Sequence, residues 1–263
     1  MDKLICIICG MEKSGTTYLA NLLNSHSNIF SGFETGILLG NLKEFNKIEP
    51  YNQWLSHGSF QWGLPDNFLK EIESLNYNNI YEYIYDKKGS KYNYEDMTPQ
   101  YFIKKSIFIF DKTPSYIYDL KYIYNKLNNT KIPFIIILKN FNDIYNSFIN
   151  NSYITEQEFY YKILKVIETL NWIKKSSIKN IYIFSYDKFI NDKQYIKKFE
   201  KVIYSNNPKL KEEELNINNY IRKVKNYDYP FKNWEYKKYD ESKLKSIIFI
   251  KKIYEDLVLE LSI

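Results

Sequence analysis

The stretch that decides the fold lies near the amino terminus and reads Ile5-Cys-Ile-Ile-Cys-Gly10-Met-Glu-Lys13-Ser14-Gly15-Thr16-Thr17. An apolar run leads into a loop bounded by two glycines, and a helix-forming segment follows directly. This order predicts a buried strand and a turn at a helix N-terminus, where backbone N–H groups and the helix dipole attract anions. The spacing G-x-x-x-x-G-T-T differs from the nucleotide-triphosphate loop G-x-x-x-x-G-K-[ST], because the lysine precedes the second glycine, as Lys13.

Short apolar runs elsewhere predict the other strands of the same sheet. Continuous runs of this kind are typical of central strands covered on both faces, and we expect them at Leu4–Cys9, Ser106–Phe110, Phe134–Leu138 and Ile181–Phe184. Helical patterns separate the runs, at Thr17–Ser25, Asn142–Asn150, Glu156–Ser176, Lys193–Tyr204 and Lys243–Leu261. This alternation predicts a P-loop-like α/β fold, with a central parallel sheet in a three-layer α/β/α arrangement. Such sheets bind ligands at the carboxyl ends of their strands.

The region from about residue 50 to residue 100 has a different character. It carries two tryptophans, many tyrosines and several Gly and Pro loop signals. We interpret it as a helical, tyrosine-rich insertion or lid within one domain that spans residues 1–263. Its tyrosines serve either helix packing or a stacking surface for a sugar, and the pattern favours packing for Tyr77, Tyr81, Tyr83 and Tyr85.

Composition and cysteine usage favour a cytoplasmic protein without a nucleic-acid partner. The net charge of +6 is modest and spread along the chain, which suits anionic ligands. Cys6 and Cys9 form a C-x-x-C. Residues three apart on a strand point to opposite faces, so we expect two buried cysteines rather than a metal site. No apolar run approaches the length of a membrane span, and two cysteines leave no disulfide framework beyond that pair.

A second polar motif begins at the end of the predicted strand Phe134–Leu138 and reads Lys139-Asn-Phe141-Asn-Asp-Ile-Tyr-Asn-Ser147. A cation at a strand end and a serine one to two turns into a helix can converge on one anion. In the first loop, the backbone N–H groups of Ser14–Thr17 and the hydroxyls of Thr16 and Thr17 are placed to surround a 5′-phosphate, with Lys13 near the bond that breaks.

Together the two motifs resemble those of sulfotransferases that use 3′-phosphoadenosine 5′-phosphosulfate (PAPS). In that family a K-S-G-T-T loop holds the 5′-phosphosulfate, and Lys13-Ser14-Gly15-Thr16-Thr17 matches it throughout. A basic residue followed eight positions later by serine holds the 3′-phosphate, and Lys139 and Ser147 have that spacing. The family usually has arginine, and then proline, near the start of this element. Lys139 and Phe141 depart from that pattern, so the bidentate phosphate contact of arginine is lost.

Further segments resemble the family in chain order. The segment Ser25–Thr35 resembles the one after the first helix, in which a glutamate often acts as base, and this implies that role for Glu34. Asp111-Lys112-Thr-Pro-Ser-Tyr116 resembles the family's E-K-T-P-x-Y strand end, whose lysine lies at the active site. Two later segments, Phe184–Phe189 and Phe231–Trp234, resemble elements near the nucleotide, which implies cofactor contacts for Tyr186 and Trp234.

The resemblance implies in-line attack by an acceptor hydroxyl or amine on the sulfur of PAPS. Glu34 would take the acceptor proton. Lys13 would stabilise charge on the bridging oxygen as the bisphosphate leaves, and Lys112 would steady the transferring group. A sulfuryl group carries less charge than a γ-phosphoryl group, so we expect no metal requirement. A carbohydrate hydroxyl is the expected acceptor.

Several alternatives stay open at this point. His26 is a second candidate base, although a histidine at a helix end more often caps the last carbonyls. Trp234 either packs in the core or stacks on the adenine. Two interpretations are open for Arg222, Lys223 and Lys225: they form a solvated face, or one of them contacts the 3′-phosphate. A kinase with a variant loop and an inactive glycan- or anion-binding module are the alternative functions. The acceptor is open among polysaccharide, lipid-linked sugar, small metabolite and protein tyrosine, and so is the oligomeric state.

Overall fold

The computed structural model describes residues 3–32, 34–40, 61–91, 99–127, 131–150, 154–219 and 248–263. Within these ranges a parallel sheet of five strands has the order β2-β3-β1-β4-β5. The strands are β1 (Leu4–Cys9), β2 (Ile29–Phe30), β3 (Phe108–Lys112), β4 (Phe134–Leu138) and β5 (Ile181–Ser185). The chain order reverses direction at β1, so the loop after β1 lies at the switch point where such sheets bind ligands.

Helices cover both faces of the sheet. Their bounds are α1 (Thr16–Leu23), α2 (Phe68–Ile72), α3 (Tyr77–Lys87), α4 (Pro99–Lys105), a 3₁₀ helix (Pro114–Asp119), α5 (Leu120–Lys126), α6 (Phe141–Asn150), α7 (Glu156–Lys175), α8 (Tyr186–Asn191), α9 (Lys193–Asn206) and α10 (Ile248–Leu261). One core contains side chains of α1, α8 and α9, and the other contains those of the remaining helices. The predicted three-layer α/β/α fold is therefore confirmed. Across the described ranges, no helix combines the length and the apolar character that a membrane span requires.

The strands form where the apolar runs are unbroken, because both of their faces are buried. In β4, Phe134, Ile136 and Leu138 pack into one core, whereas Ile135 and Ile137 pack into the other. This alternation follows from the two-residue period of a strand. With both of its faces covered, β4 consequently carries no polar residue along its length.

Most predicted boundaries agree with the structure, and the exception is informative. The strand predicted at Ser106–Phe110 runs instead from Phe108 to Lys112, because Asp111 and Lys112 pair with β1 although both are polar. The two-residue strand β2 is too short for a pattern to reveal. The terminal helix is seen from Ile248 onward, and residues 243–247 lie outside the described ranges.

The tyrosine-rich insertion is helical wherever the structure describes it. Residues 61–91 and 99–105 contain α2, α3 and α4, while residues 50–60 and 92–98 lie outside the described ranges. Tyr81 is buried, and its neighbours Tyr77, Tyr83 and Tyr85 pack against the same core. These contacts agree with the packing interpretation, and a stacking surface for a sugar on α3 stays an untested alternative.

The two cysteines are buried on opposite faces of β1, as the sequence predicts. Cys6 belongs to the core under α1 and Cys9 belongs to the core under the opposite layer. Burial, and to a smaller extent the charge of Asp111, raises the pKa of both thiols far above the usual range.

We expect both thiols to be inert in the folded protein, because the thiolate is the reactive form and these groups are shielded from solvent. At about pH 8, Ellman's reagent should label neither cysteine in the native protein. After unfolding in guanidinium chloride it should label both. Rapid labelling of the native chain would contradict the buried placement.

Candidate active site

The loop after β1 is fixed to the strands on either side of it. The Gly10 N–H donates to the carbonyl of Pro114, which follows β3, at 3.2 Å. The Ser14 hydroxyl donates to the carbonyl of Ile137 in β4, at 2.8 Å. A Cβ at Gly10 would lie 2.2 Å from that same Ile137 carbonyl oxygen, so only glycine fits there. The loop is therefore a rigid part of the sheet edge.

The start of α1 has the features of an anion site. Its N-cap is Gly15, with φ of 100°, and no side chain caps the helix or places an acid in its first turn. The first backbone N–H groups of a helix have no partner within the helix, and the helix dipole is positive at that end. Thr16 is buried there and Thr17 is exposed. This end of the helix is suited to hold a phosphate or sulfate group.

Lys13 has an unusual backbone conformation. Among the residues that the structure describes, it is the single non-glycine residue with a positive φ, at 67°. Left-handed backbone is sterically unfavourable for a residue with a Cβ. Its side chain is exposed beside the start of α1. The conformation places an ammonium group at the edge of the anion site.

A cavity of about 580 Å³, here called the loop cavity, opens over this segment. It gathers six of the residues that the sequence singles out, namely Lys13, Gly15, Thr16, Thr17, Glu34 and Tyr186. The remaining walls come from Glu12, Tyr18, Pro114, Phe148, Ile154 and Lys162. One concave site thus combines the loop, the candidate base and the end of β5.

Glu34 and Lys112 meet at the edge of this cavity as an ion pair. The Lys112 Nζ lies 2.7 Å from the Glu34 Oε1, and the two side chains are 6% and 19% exposed. A pair with so little solvent is held more firmly than a surface salt bridge. The structure therefore brings together two of the three residues predicted to act in catalysis, and Lys13 lies in the same cavity.

A buried carboxylate holds this pair in place. Asp111 belongs to β3, where it pairs with Ile7 of β1, and its side chain is fully buried. Its Oδ2 accepts hydrogen bonds from Tyr81 at 2.6 Å, Tyr116 at 2.8 Å and Thr35 at 3.2 Å, and its Oδ1 accepts one from Thr113 at 3.1 Å. We call these five residues the Asp111 cluster. Burial raises the pKa of Asp111, and the four hydroxyl donors oppose that rise.

The Asp111 cluster fixes the segment that carries Glu34. Thr35 follows Glu34, and Asp111 precedes Lys112, so the Thr35–Asp111 hydrogen bond joins the two halves of the ion pair. The backbone N–H of Gly36 also donates to the Thr113 hydroxyl, at 3.2 Å. The geometry of the ion pair consequently depends on groups that do not themselves line the cavity.

The second motif lies behind Tyr186. Lys139 is buried, with its Nζ 3.4 Å from Asp143 and 5.1 Å from the centre of the Tyr186 ring. That ring is packed so closely on Gly15 that a Cβ there would lie 2.1 Å from it. Ser147 is partly buried on α6, next to a residue of the loop cavity, Phe148. Joint binding of one phosphate by Lys139 and Ser147 stays a prediction.

Some predicted site residues have other partners or lie elsewhere. The Ser14 N–H donates to the Met11 carbonyl at 3.1 Å and its hydroxyl to main-chain carbonyls, so this residue shapes the loop rather than offering these groups to an anion. His26 is buried after the far end of α1, where Nδ1 accepts from the Asn28 N–H and Nε2 contacts the Lys211 carbonyl. Trp234, Arg222, Lys223 and Lys225 lie outside the described residues.

The structure adds an ion pair that sequence reasoning missed. The Lys162 Nζ, on α7, lies 2.8 Å from the Glu12 Oε1, and Glu12 precedes Lys13 in the loop. The Tyr118 hydroxyl donates to the other Glu12 oxygen. Burial and the neighbouring carboxylate raise the pKa of Tyr118, which keeps this hydroxyl protonated. Glu12 is adjacent to the loop motif, but nothing local in the sequence links it to Lys162.

Loss of one donor to Asp111 should weaken the fold measurably. Tyr81→Phe removes a hydrogen bond to a buried carboxylate, so we expect the free energy of unfolding in urea to fall by roughly 2 kcal/mol near pH 7. Without that donor the folded pKa of Asp111 rises further, so the deficit should shrink as the pH is lowered and Asp111 becomes protonated.

A matched control is Tyr122→Phe, which removes a hydroxyl from a ring that is 53% exposed. We expect its unfolding free energy to stay within about 0.5 kcal/mol of the wild type. Equal losses in both variants, or a deficit that does not change with pH, would argue against the Asp111 cluster as described.

Comparisons with known proteins identify the family and the fold. A family model described as "Sulfotransferase family" matches residues 6–194, which is more than half of the chain and runs from within β1 to beyond β5. The sulfotransferase domain from the curacin biosynthetic pathway superposes with a TM-score of 0.54 at 16% identity, over 81% of this chain and 76% of that one.

The sulfotransferase domain from the Synechococcus PCC 7002 olefin synthase gives a TM-score of 0.51 at 10% identity, over 97% of this chain and 93% of that one. At such identities the likeness concerns the fold alone. A search of curated proteins finds no match. On the match of the family model and the fold, the chain belongs to the sulfotransferase family.

Proposed function

We propose that this sulfotransferase moves a sulfuryl group from PAPS to an acceptor hydroxyl, with a carbohydrate as the acceptor class. One observation carries the proposal. The loop cavity brings the start of α1, the Lys13 side chain and the Glu34 carboxylate to one place. An anion site, a cation and a carboxylate within one cleft are what group transfer from an anionic donor requires.

The residues present suit a donor with a 5′-phosphosulfate. Gly15 adopts a positive φ and has no room for a Cβ, so the backbone can approach the donor closely. Backbone N–H groups at the start of α1, with the hydroxyls of Thr16 and Thr17, are the proposed phosphosulfate ligands. Lys139 and Ser147 are the proposed 3′-phosphate ligands. Tyr186 lies between the two sets and is the proposed neighbour of the nucleoside.

The proposed chemistry is a single in-line displacement. The acceptor oxygen forms a bond to sulfur while the bond from sulfur to the bridging oxygen breaks, and that electron pair leaves with the bisphosphate. Glu34 accepts the proton of the acceptor hydroxyl, and the Lys13 ammonium stabilises the negative charge that develops on the bridging oxygen.

The pairing of Glu34 with Lys112 adds a coupling between proton transfer and charge stabilisation. The two groups are 2.7 Å apart, so the Lys112 ammonium is directed to the carboxylate before reaction. When Glu34 takes a proton, it loses the negative charge that held the ammonium. Lys112 is then released toward the oxygens of the transferring group. Both residues thereby act in one step, in the order that the reaction needs.

The structure supports Glu34 over His26 as the base and a sulfotransferase over a kinase. The ring of His26 is enclosed beyond the far end of α1, with contacts to main-chain groups at both nitrogens. The kinase alternative needs a lysine where Thr16 stands, and an acidic residue to hold Mg²⁺. Asp111 is the strand-end candidate for that acid, and four hydroxyls donate to it.

Thermal unfolding tests the donor. Near 100 Kd, 3′-phosphoadenosine 5′-phosphate should add about 2.7 kcal/mol of stability, which is a rise in Tm of roughly 5–10 °C for a chain of this size. ATP with Mg²⁺ at the same concentration should give a smaller shift. Stabilisation by ATP with Mg²⁺ alone would overturn the proposal in favour of a kinase.

Glu34→Gln tests the base. Transfer of ³⁵S from labelled PAPS to an acceptor should fall by ~10²–10⁴-fold, while the thermal shift with 3′-phosphoadenosine 5′-phosphate persists. The matched control is Glu260→Gln, which makes the same change in an exposed ion pair with Lys174 outside the loop cavity. Equal, very low transfer by wild type and Glu34→Gln would instead favour an inactive binding module.

A further inference from the structure

A second cavity of about 510 Å³, here called the side cavity, lies next to the loop cavity. The two share Ile154 and Lys162 as wall residues. A pocket of this size accommodates a ligand as large as a typical drug molecule. A ligand in the side cavity would therefore contact two side chains that also line the loop cavity, where Glu34 and Lys13 lie.

One wall of the side cavity is a single face of α7 and the turn before it. Its residues recur at intervals of three and four, the spacing of neighbours on one side of a helix, and include Ile154, Gln157, Tyr161 and Lys162. The opposite wall is the end of the 3₁₀ helix, at Tyr118 and Asp119. The side cavity is thus a groove between two helical segments. At one end it adjoins the loop cavity, at the shared residues Ile154 and Lys162.

The lining combines aromatic rings with hydrogen-bonding groups. Tyr161 is 65% exposed and lines the groove, so its ring is accessible to a ligand there. Gln157 and Asp119 are exposed in the same groove. Aromatic faces pack on the C–H surfaces of a sugar ring, and amide and carboxylate oxygens accept hydrogen bonds from its hydroxyls.

The charges in the groove favour a neutral ligand. Its two ammonium groups already have carboxylate partners, since Lys162 pairs with Glu12 and Lys165 pairs with Glu168. The groove also contains the carboxylates of Asp119 and Glu158. Among the lining residues that the structure describes, an acidic sugar would meet these carboxylates while both ammonium groups are already engaged in ion pairs, so it gains little here.

We propose that the side cavity is the acceptor subsite and that it binds an uncharged sugar chain, with the reactive hydroxyl directed past Lys162 toward Glu34. This inference rests on the proposed sulfotransferase function and names its substrate class. Lys162 pairs with Glu12, and Glu12 accepts a hydrogen bond from the Tyr118 hydroxyl. The boundary between the two cavities is therefore fixed to the loop after β1. Tyr161 is the specificity-determining contact.

Saturation-transfer NMR on the full chain tests the subsite. The probes are cellotetraose, mannotetraose and chitotetraose as neutral chains, a hyaluronan tetrasaccharide as an acidic chain, and 1-hexanol as an alcohol without sugar rings. We expect a saturation-transfer signal from at least one neutral chain, and weaker signals from the acidic chain and the alcohol. Preferred binding of the acidic chain or of 1-hexanol would overturn the assignment.

Variants of α7 locate the binding. Tyr161→Ala should weaken binding of the neutral sugar by about tenfold. Leu164→Ala removes another exposed apolar side chain of the same helix, one that is 50% exposed and lies outside the groove, and should leave sugar binding unchanged. Equal effects of both variants, or no effect of Tyr161→Ala, would overturn the proposal.

The donor measurement separates this inference from the proposed function. Both variants should keep the thermal shift with 3′-phosphoadenosine 5′-phosphate, because neither residue lines the loop cavity. If the nucleotide raises the Tm as expected but no neutral chain gives a saturation-transfer signal, the acceptor subsite alone is overturned. Sugar binding that depends on Tyr161, in a protein that this nucleotide does not stabilise, would support a sugar site in the side cavity and overturn the proposed use of PAPS.

Discussion

The buried carboxylate of Asp111 is the constraint on which the acceptor side of the site depends. A carboxylate removed from water is costly unless several donors compensate, and here they come from α3, from the 3₁₀ helix, from Thr113 and from Thr35. These segments are far apart in the sequence, so they must assemble together for the charge to be satisfied. The Thr35–Asp111 hydrogen bond links this assembly to the Glu34–Lys112 pair. The region that supplies α3 is therefore part of the framework that holds the candidate site.

Local signals made the sheet and the loop predictable. The unbroken apolar runs at β1, β4 and β5 can only be stable with both faces covered. The glycine spacing of the loop reflects a steric demand, since Gly10 and Gly15 leave no room for a Cβ. The boundary of β3 was missed because Asp111 and Lys112 are polar residues inside a sheet. Their burial depends on hydroxyls that arrive from distant segments, which a pattern along one segment does not reveal.

The same distinction applies to the site. Short motifs predict Lys13, Glu34 and Lys112 as site residues. The structure brings the segments that carry them to one region at the carboxyl ends of the strands. The partners of these residues do not follow from motifs. The Glu12–Lys162 pair joins positions 150 residues apart, and the contact of Tyr186 with Gly15 joins the start of α8 to the loop after β1. Such contacts arise from the topology of the sheet, so they become visible only once the strand order is known.

The left-handed backbone of Lys13 has a consequence for how this loop responds to selection. A lysine in that conformation costs on the order of 1 kcal/mol relative to glycine, and this cost falls on a rigid loop that cannot relax around it. Folding alone would favour glycine at this position. Selection for a more thermostable chain, without a demand on function, would therefore favour the loss of this ammonium group, so a lysine kept here trades stability for a charge at the start of α1.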